Sequence, residues 1–365
     1  MKKALAFLTS PKVVFYSLPP LMLLLILGTI AQRYIGLYEA EKLFFQSWIL
    51  WIGPVPVPST YPLLALLALG LLAKLLWKTR WNKAQFGIAV THLGALALLV
   101  GGLITALTAE EGFMVLSEGE AGRLVSDYHQ RELLITRDES EVLAAIPAEA
   151  LEVGTSHTVP DLPISFTVKE LYRNSQPVER EEPNDQHRLI AQKMALKELP
   201  LEKQDEANQH GIIVQVEGAD DAQDGLYLAY EAIPMPILLR MEEGVIRMRL
   251  QKAKRALPFT LTLNEFTKFR YPGSDMAMEY ESKVTVENEE GIRFDQDIRM
   301  NEPLRFEGVT LYQSSFIQTM EGEEMSVLAV VENEGYWFPY LASVLMAIGL
   351  IWQSVIRMRQ GRGAT

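Results

Sequence analysis

The sequence predicts a polytopic membrane protein. Four transmembrane α-helices carry a large, mainly-β, sandwich-like extracytoplasmic domain inserted between helices 3 and 4. Three observations point there. Four long uncharged apolar runs lie near the two ends of the 365-residue chain. The acidic residues concentrate between the third and fourth runs. Within that acidic block the apolar signal is short and alternates with period two. Residues 1–107 hold nine Lys/Arg against two Asp/Glu, residues 108–336 hold 22 against 44, and residues 337–365 hold three Arg and no acid. A central block of net charge −22 offers no basic face, which argues against nucleic-acid binding. Cysteine is absent, so the chain carries no disulfide, thiolate metal site, CxxC redox pair or CxxCH haem attachment site.

The first run, Val13 to Gln32, has 20 residues, enough to cross an apolar layer of roughly 30 Å. Met1-Lys2-Lys3 would also suit a signal peptide, but the apolar stretch exceeds a usual h-region and three more runs follow, so a retained helix is expected. Pro19-Pro20 predicts a kink or break within it. The next run opens with Gly53-Pro54-Val55-Pro56-Val57-Pro58, which cannot be helix interior, so the second span is about 61–76, with Lys74 near one end where it can snorkel. The third span is about 84–107. The fourth lies within 337–365 and is followed by a basic tail. Lys2, Lys3 and Lys12 precede the first span, Lys74, Lys78, Arg80 and Lys83 separate the second from the third, and Arg357, Arg359 and Arg362 follow the fourth. With four crossings all three groups fall on one side. The positive-inside rule makes that side the cytoplasm and puts residues 108–336 on the outer side. Trp77, Trp81 and Trp337 stand at predicted lipid interfaces.

Residues 108–336 read as antiparallel strands. Phe259 to Leu263, Ser282 to Val286 and Ile212 to Val216 alternate apolar and polar residues. Asn288-Glu289-Glu290-Gly291 predicts a hairpin loop, and Tyr271-Pro272-Gly273-Ser274 a turn. Gln176 to His210 is a polar excursion with a helix-prone piece from about Leu189 to Leu199. The block contains no Walker loop, HExxH, GxSxG or glycine-rich dinucleotide turn. His129, His157, His187 and His210 are scattered in polar contexts and read as surface or structural residues. Acidic runs such as Glu179 to Glu182 read as solvated faces.

His92 differs. It is the one histidine in a span and the one ionisable group between Lys83 and Glu110, and intramembrane ionisable residues mark function by default. It lies eight residues from Ala84, about 12 Å, and sixteen from Thr108, about 24 Å, hence nearer the cytoplasmic leaflet. Thr91, Gly94, Ala95, Leu98, Gly101, Gly102 and Thr105 form a largely small-residue face beside it, which permits close approach of another helix or a flat ligand. Two readings stand: a histidine that hydrogen-bonds a neighbouring helix, or a ligand or proton carrier. Neutral imidazole is an axial ligand for haem iron, and a single histidine supplies one of the two axial bonds.

Several local patterns occur in a telling order. Gly28-Thr29-Ile30-Ala31-Gln32 precedes Gly36-Leu37-Tyr38-Glu39-Ala40 and Phe44-Phe45-Gln46-Ser47-Trp48, and His92-Leu93-Gly94 lies in the third span. Tyr271-Pro272-Gly273-Ser274-Asp275, Tyr280 to Val286, Met300-Asn301-Glu302-Pro303-Leu304 and Gly308 to Ser315 follow. In these the chain resembles the ResB (CcsB) family of System II cytochrome c biogenesis proteins. The resemblance implies a haem-handling subunit of a holocytochrome c synthase complex that helps move haem b outward and deliver it to apocytochrome c. It also implies a Trp-rich ResC (CcsA) membrane partner and, indirectly, a thiol-reducing thioredoxin-like protein. It makes His92 an axial haem ligand, with Thr91, Gly94 and Ala95 beside it for haem or helix packing, and implies no catalytic side chain. Glu332-Asn333-Glu334-Gly335 stands where relatives often carry Asp-Pro-Gly. Two other functions fit the span pattern: a b-haem quinol oxidoreductase subunit, which usually shows paired histidines, and a non-catalytic anchor or sensor bearing a β domain.

Overall fold

The computed structural model describes residues 2–138, 140–181, 185–219, 222–242, 244–274, 277–319 and 322–362. Asp275 of the Tyr271 motif and Glu182 of the acidic run lie outside the described residues. The chain forms two compact units. One comprises Met1–Glu110, Arg305–Thr310 and Val331–Thr365; the other comprises Glu111–Leu304 and Leu311–Val330.

The first unit is helical. Its helices are α1 (Lys2–Leu8), α2 (Lys12–Ile35), α3 (Leu37–Ala40), α4 (Thr60–Trp77), α5 (Phe86–Thr108) and α6 (Phe338–Arg362). Among the described residues α2, α4, α5 and α6 are long and apolar enough to cross a membrane. The helix α2 runs unbroken through Pro19 and Pro20, although neither ring nitrogen can donate to the preceding turn. It stops at Gly36, whose φ of 85° is open to glycine without strain. The proline-rich stretch forms a two-stranded hairpin, Ile49–Ile52 against Val55–Pro58. Leu21 and Leu24 of α2 pack there with Leu50 and with Leu63 of α4. Gly28 faces the Phe45 ring, while Ser59 and Thr60 donate hydroxyl hydrogen bonds to the Phe44 carbonyl at 2.7 and 2.8 Å. The glycine and Phe-Phe patterns near the first span therefore fold against one another as packing.

The second unit is mostly β. Ten strands form one sheet along the path 293–299, 277–288, 244–270, 121–137, 110–116, 324–332, 309–318 and 304–306, with 237–241 and 141–147 joining off that path. Four strands, 225–230, 211–217, 165–172 and 156–158, form another. The alternating segments read from the sequence are strands. The Asn288 loop closes the hairpin of 277–288 with 293–299, and Ser274 N–H donates back to the Tyr271 carbonyl across the predicted turn. The strand Gly244–Arg270 pairs with three strands, 121–137, 237–241 and 277–288, and its register with Ala121–Arg137 slips between Ala256 and Leu261. Pro258 sits inside that slip, where its missing N–H breaks no ladder bond. Leu133, Ile135, Ile246, Met248 and Leu250 of the larger sheet pack on Phe166, Val168, Ile212, Val214 and Val216 of the smaller one, so the core is that of a sandwich.

The excursion is more ordered than its composition suggests. Ser175–Glu179 pairs antiparallel with Met194–Glu198. The expected helix from Leu189 to Leu199 is instead one 3₁₀ turn, Leu189–Gln192, followed by that strand. Met-Ala-Leu-Lys-Glu favours helix by propensity. The strand wins because it satisfies the backbone against Ser175–Glu179 and buries Leu196 with Ala191, Ile213 and Leu228.

Candidate functional site

The small-residue face of α5 packs on α6, and the two helices are antiparallel. Gly87, Gly94 and Gly101 recur every seven residues, the spacing of a left-handed helix seam. A Cβ on Gly94 would lie 2.8 Å from Met346 Cγ and 2.9 Å from the Ala342 carbonyl oxygen, and one on Gly87 would lie 2.5 Å from the Gly349 carbonyl oxygen. Gly101 meets Phe338. Gly102 has nothing within 4 Å of its Cβ position, so it belongs off the face on which the sequence placed it. At the far end of the seam the Thr105 hydroxyl bonds the Asn333 side-chain oxygen at 3.0 Å, and the same oxygen accepts the Gly335 N–H at 2.7 Å. Asn333 and Gly335 thus close the α5–α6 end.

His92 flanks this seam. It is half-buried, and its Nδ1 is buried with no hydrogen-bond partner among the described residues. It lines an open groove of about 280 Å³ with Ile88, Thr91, Leu350, Gln353, Ser354 and Arg357. The Thr91 hydroxyl is engaged, donating to the Gly87 carbonyl at 2.9 Å. Gly94 is buried against α6 and Ala95 is half-buried one turn beyond the histidine. The Gln353 Oε1 is a second buried polar atom without a partner among the described residues. Two buried polar atoms left without partners in an apolar helix pair are expensive. The sequence reading missed Gln353, Ser354 and Arg357, which reach the groove from a helix more than 240 positions away. Their i, i+1, i+4 spacing on the last span was the available signal.

The second unit holds a separate ionic cluster. The Arg131 side chain is wholly buried; its Nε donates to Glu231 Oε2 at 3.2 Å, and its Nη1 lies 3.6 Å from Asp205 Oδ2. Asp205 also meets His129 Nδ1 at 2.9 Å and Arg173 at 3.4 Å. Lys252 lies 3.6 Å from the other Glu231 oxygen, and His210 Nδ1 lies 3.6 Å from Glu231 Oε2. Burial alone would raise Asp205, but the His129 hydrogen bond and the Arg131 charge hold its carboxyl below the ordinary range. Burial pushes His210 down to about 4, with Arg131 adding to the effect. Burial also lowers Lys252. His129 and His210, scattered in sequence, thus meet in one network that pins the end of the excursion to the sandwich. His157 stacks on Phe166 at 5.2 Å, and His187 bridges to Leu226; both are structural. Among the described residues no three His, Asp or Glu side chains gather as a metal site.

The late motifs build the other end of the large sheet. Ser282 donates to Gln313 Oε1 at 2.6 Å, and its oxygen lies 2.8 Å from that of Ser326, all three residues being buried. Arg299 pairs with Glu281 at 2.8 Å. Phe266, Tyr280 and Phe316 cluster beside them, and Lys268 stands 4.0 Å above the Phe316 ring.

Residues 241–324, which carry these motifs, match the ResB-like family. Protein NrfI of Wolinella succinogenes is 33% identical over 97 residues, 26% of this chain. The similarity to the ResB-like family thus lies in one stretch of the chain. The aligned stretch spans 10% of the length of NrfI. The family match falls on the β unit, and the His92 groove lies outside it.

Proposed function

We propose that this chain is a ResB-type protein that acts in cytochrome c biogenesis as the membrane subunit that binds haem b and assists its delivery to apocytochrome c. The observation that carries the reading is His92, half-buried on α5 and lining a groove open beside the α5–α6 seam. Haem here is cargo, and its iron accepts imidazole nitrogen as an axial ligand. The residues fit such a guest. Ile88 and Leu350 give apolar walls, His92 gives one axial nitrogen, and Thr91 is already satisfied within its own helix. A second axial ligand comes from a ResC-type membrane partner, because no other span of this chain carries a histidine. The Lys/Arg groups that flank the spans place the His92 end of α5 toward the cytoplasm, where the groove would receive haem. The acidic β unit then stands outside, where apocytochrome is met. The chain has no thiol, so a separate thioredoxin-like protein keeps the client cysteines reduced.

The test is the absorption spectrum of the full chain purified with its Trp-rich partner. His92→Ala is expected to lower the bound b-type haem about tenfold, and imidazole added to His92→Gly should restore it. An unchanged haem content in His92→Ala overturns the reading.

A further inference from the structure

Arg357 is the one cation that lines the His92 groove. No Asp or Glu occurs between Glu41 and Glu110 or after Glu334, so neither α5 nor α6 offers Arg357 a carboxylate. It stands four residues after Gln353, hence on the same face of α6 and about 6 Å further along the axis. Gln353 is opposite Gly87, and its buried Oε1 lacks a partner among the described residues. The groove therefore has the His92 imidazole at one end and, toward the basic end of α6, an uncompensated guanidinium. A guest that suits both ends is flat and apolar around a metal and carries a carboxylate at its rim.

We propose that Arg357 binds a propionate carboxylate of the porphyrin whose iron His92 ligates. This rests on the haem reading above and adds an orientation to it. Propionates point along α6 toward the cytoplasmic arginines, and the vinyl edge points up the seam. A guanidinium suits the task because it holds a carboxylate through two parallel hydrogen bonds and stays charged. Arg359, two residues on, faces away from the groove and takes no part.

The experiment titrates ferric protoporphyrin IX and its dimethyl ester into the full-length protein in detergent micelles and follows the absorption spectrum. Arg357→Gln is expected to weaken protoporphyrin IX about tenfold or more, the range of a charged hydrogen bond, and to leave the dimethyl ester unchanged. Arg359→Gln should change neither, and His92→Ala should weaken both. Equal affinities of wild type and Arg357→Gln for protoporphyrin IX overturn the proposal, which is also the outcome if Arg357 serves only lipid phosphate. Equal weakening of acid and ester overturns it as well. In both cases the His92→Ala arm still tests the haem reading by itself, since loss of both porphyrins there sustains that reading and no change defeats it.

Discussion

Acidification is expected to loosen the β unit through His210. In the unfolded chain this histidine takes up its proton near 6.5; in the folded chain burial first, and then Arg131, hold it down to about 4. Arg173 also opposes the imidazolium, whereas Glu231 and Asp205 favour it. Between these two values the unfolded state binds more protons than the folded state, so stability falls as the pH falls. The contribution is complete above 6.5 and is lost progressively toward 4. At one unit of pH for each 1.36 kcal/mol, the loss is about 2 kcal/mol at pH 5 and about 3 kcal/mol at pH 4. His210 is only 8% exposed, so solvent screening does little to reduce this. Pulse proteolysis in urea of the full chain in detergent, at pH 7 and pH 5, reads the stability of the β unit. His210→Gln keeps the backbone N–H that donates to Glu231 and removes the titration. Its loss of stability between the two pH values should be about 2 kcal/mol smaller than that of the wild type. Identical pH dependence in the two proteins refutes the reasoning.

Neighbouring glycines of α5 should respond in opposite ways. Gly101→Leu drives a side chain into Phe338, whose Cγ would lie 2.6 Å from the new Cβ, and is expected to lower the stability of the helical unit by about 1–3 kcal/mol, seen as a fall in the temperature at which the detergent-solubilised protein aggregates. Gly102→Ala, with nothing near its Cβ, should leave that temperature unchanged or raise it slightly. Asp205→Ala strips the carboxylate shared by His129, Arg131 and Arg173 and leaves a buried guanidinium short of a partner. A cost of about 3–5 kcal/mol is expected, with hydrogen exchange accelerated at residues 199–209.

The four long apolar helices were legible because each is apolar along its whole length, so each announces itself without reference to the rest of the chain. The strand 259–263 was legible because it buries alternate residues, Phe259, Leu261 and Leu263, and the strands 212–216 and 282–286 because short runs rich in β-branched residues favour strand. Where a segment's surroundings decide its structure, the sequence misled. Met194–Glu198 has helix-forming residues, and only its neighbours in space make it a strand. His92 was legible as a lone ionisable group, but its groove was not, since half of it comes from Gln353, Ser354 and Arg357 at the other end of the chain. The small-residue stripe was read correctly as a surface of close approach. What approaches it is α6, and the seven-residue recurrence of Gly87, Gly94 and Gly101 marks the seam better than the broader stripe that included Gly102. The ionic cluster was hidden for the same reason of distance, as Arg131, Asp205, His210, Glu231 and Lys252 sit on different segments and none is unusual alone.

All six tryptophans, Trp48, Trp51, Trp77, Trp81, Trp337 and Trp352, belong to the helical unit, and the β unit has none. Intrinsic indole emission is therefore a private optical channel for the helices. Trp352 anchors it next to the groove: its Nε1 donates to the Lys83 carbonyl at 3.0 Å, its ring meets Phe86 edge-on at 5.3 Å, and it immediately precedes Gln353. A porphyrin lodged beside His92 would quench that fluorophore by energy transfer. Guest loading can thus be followed through the helices alone in one uncut chain.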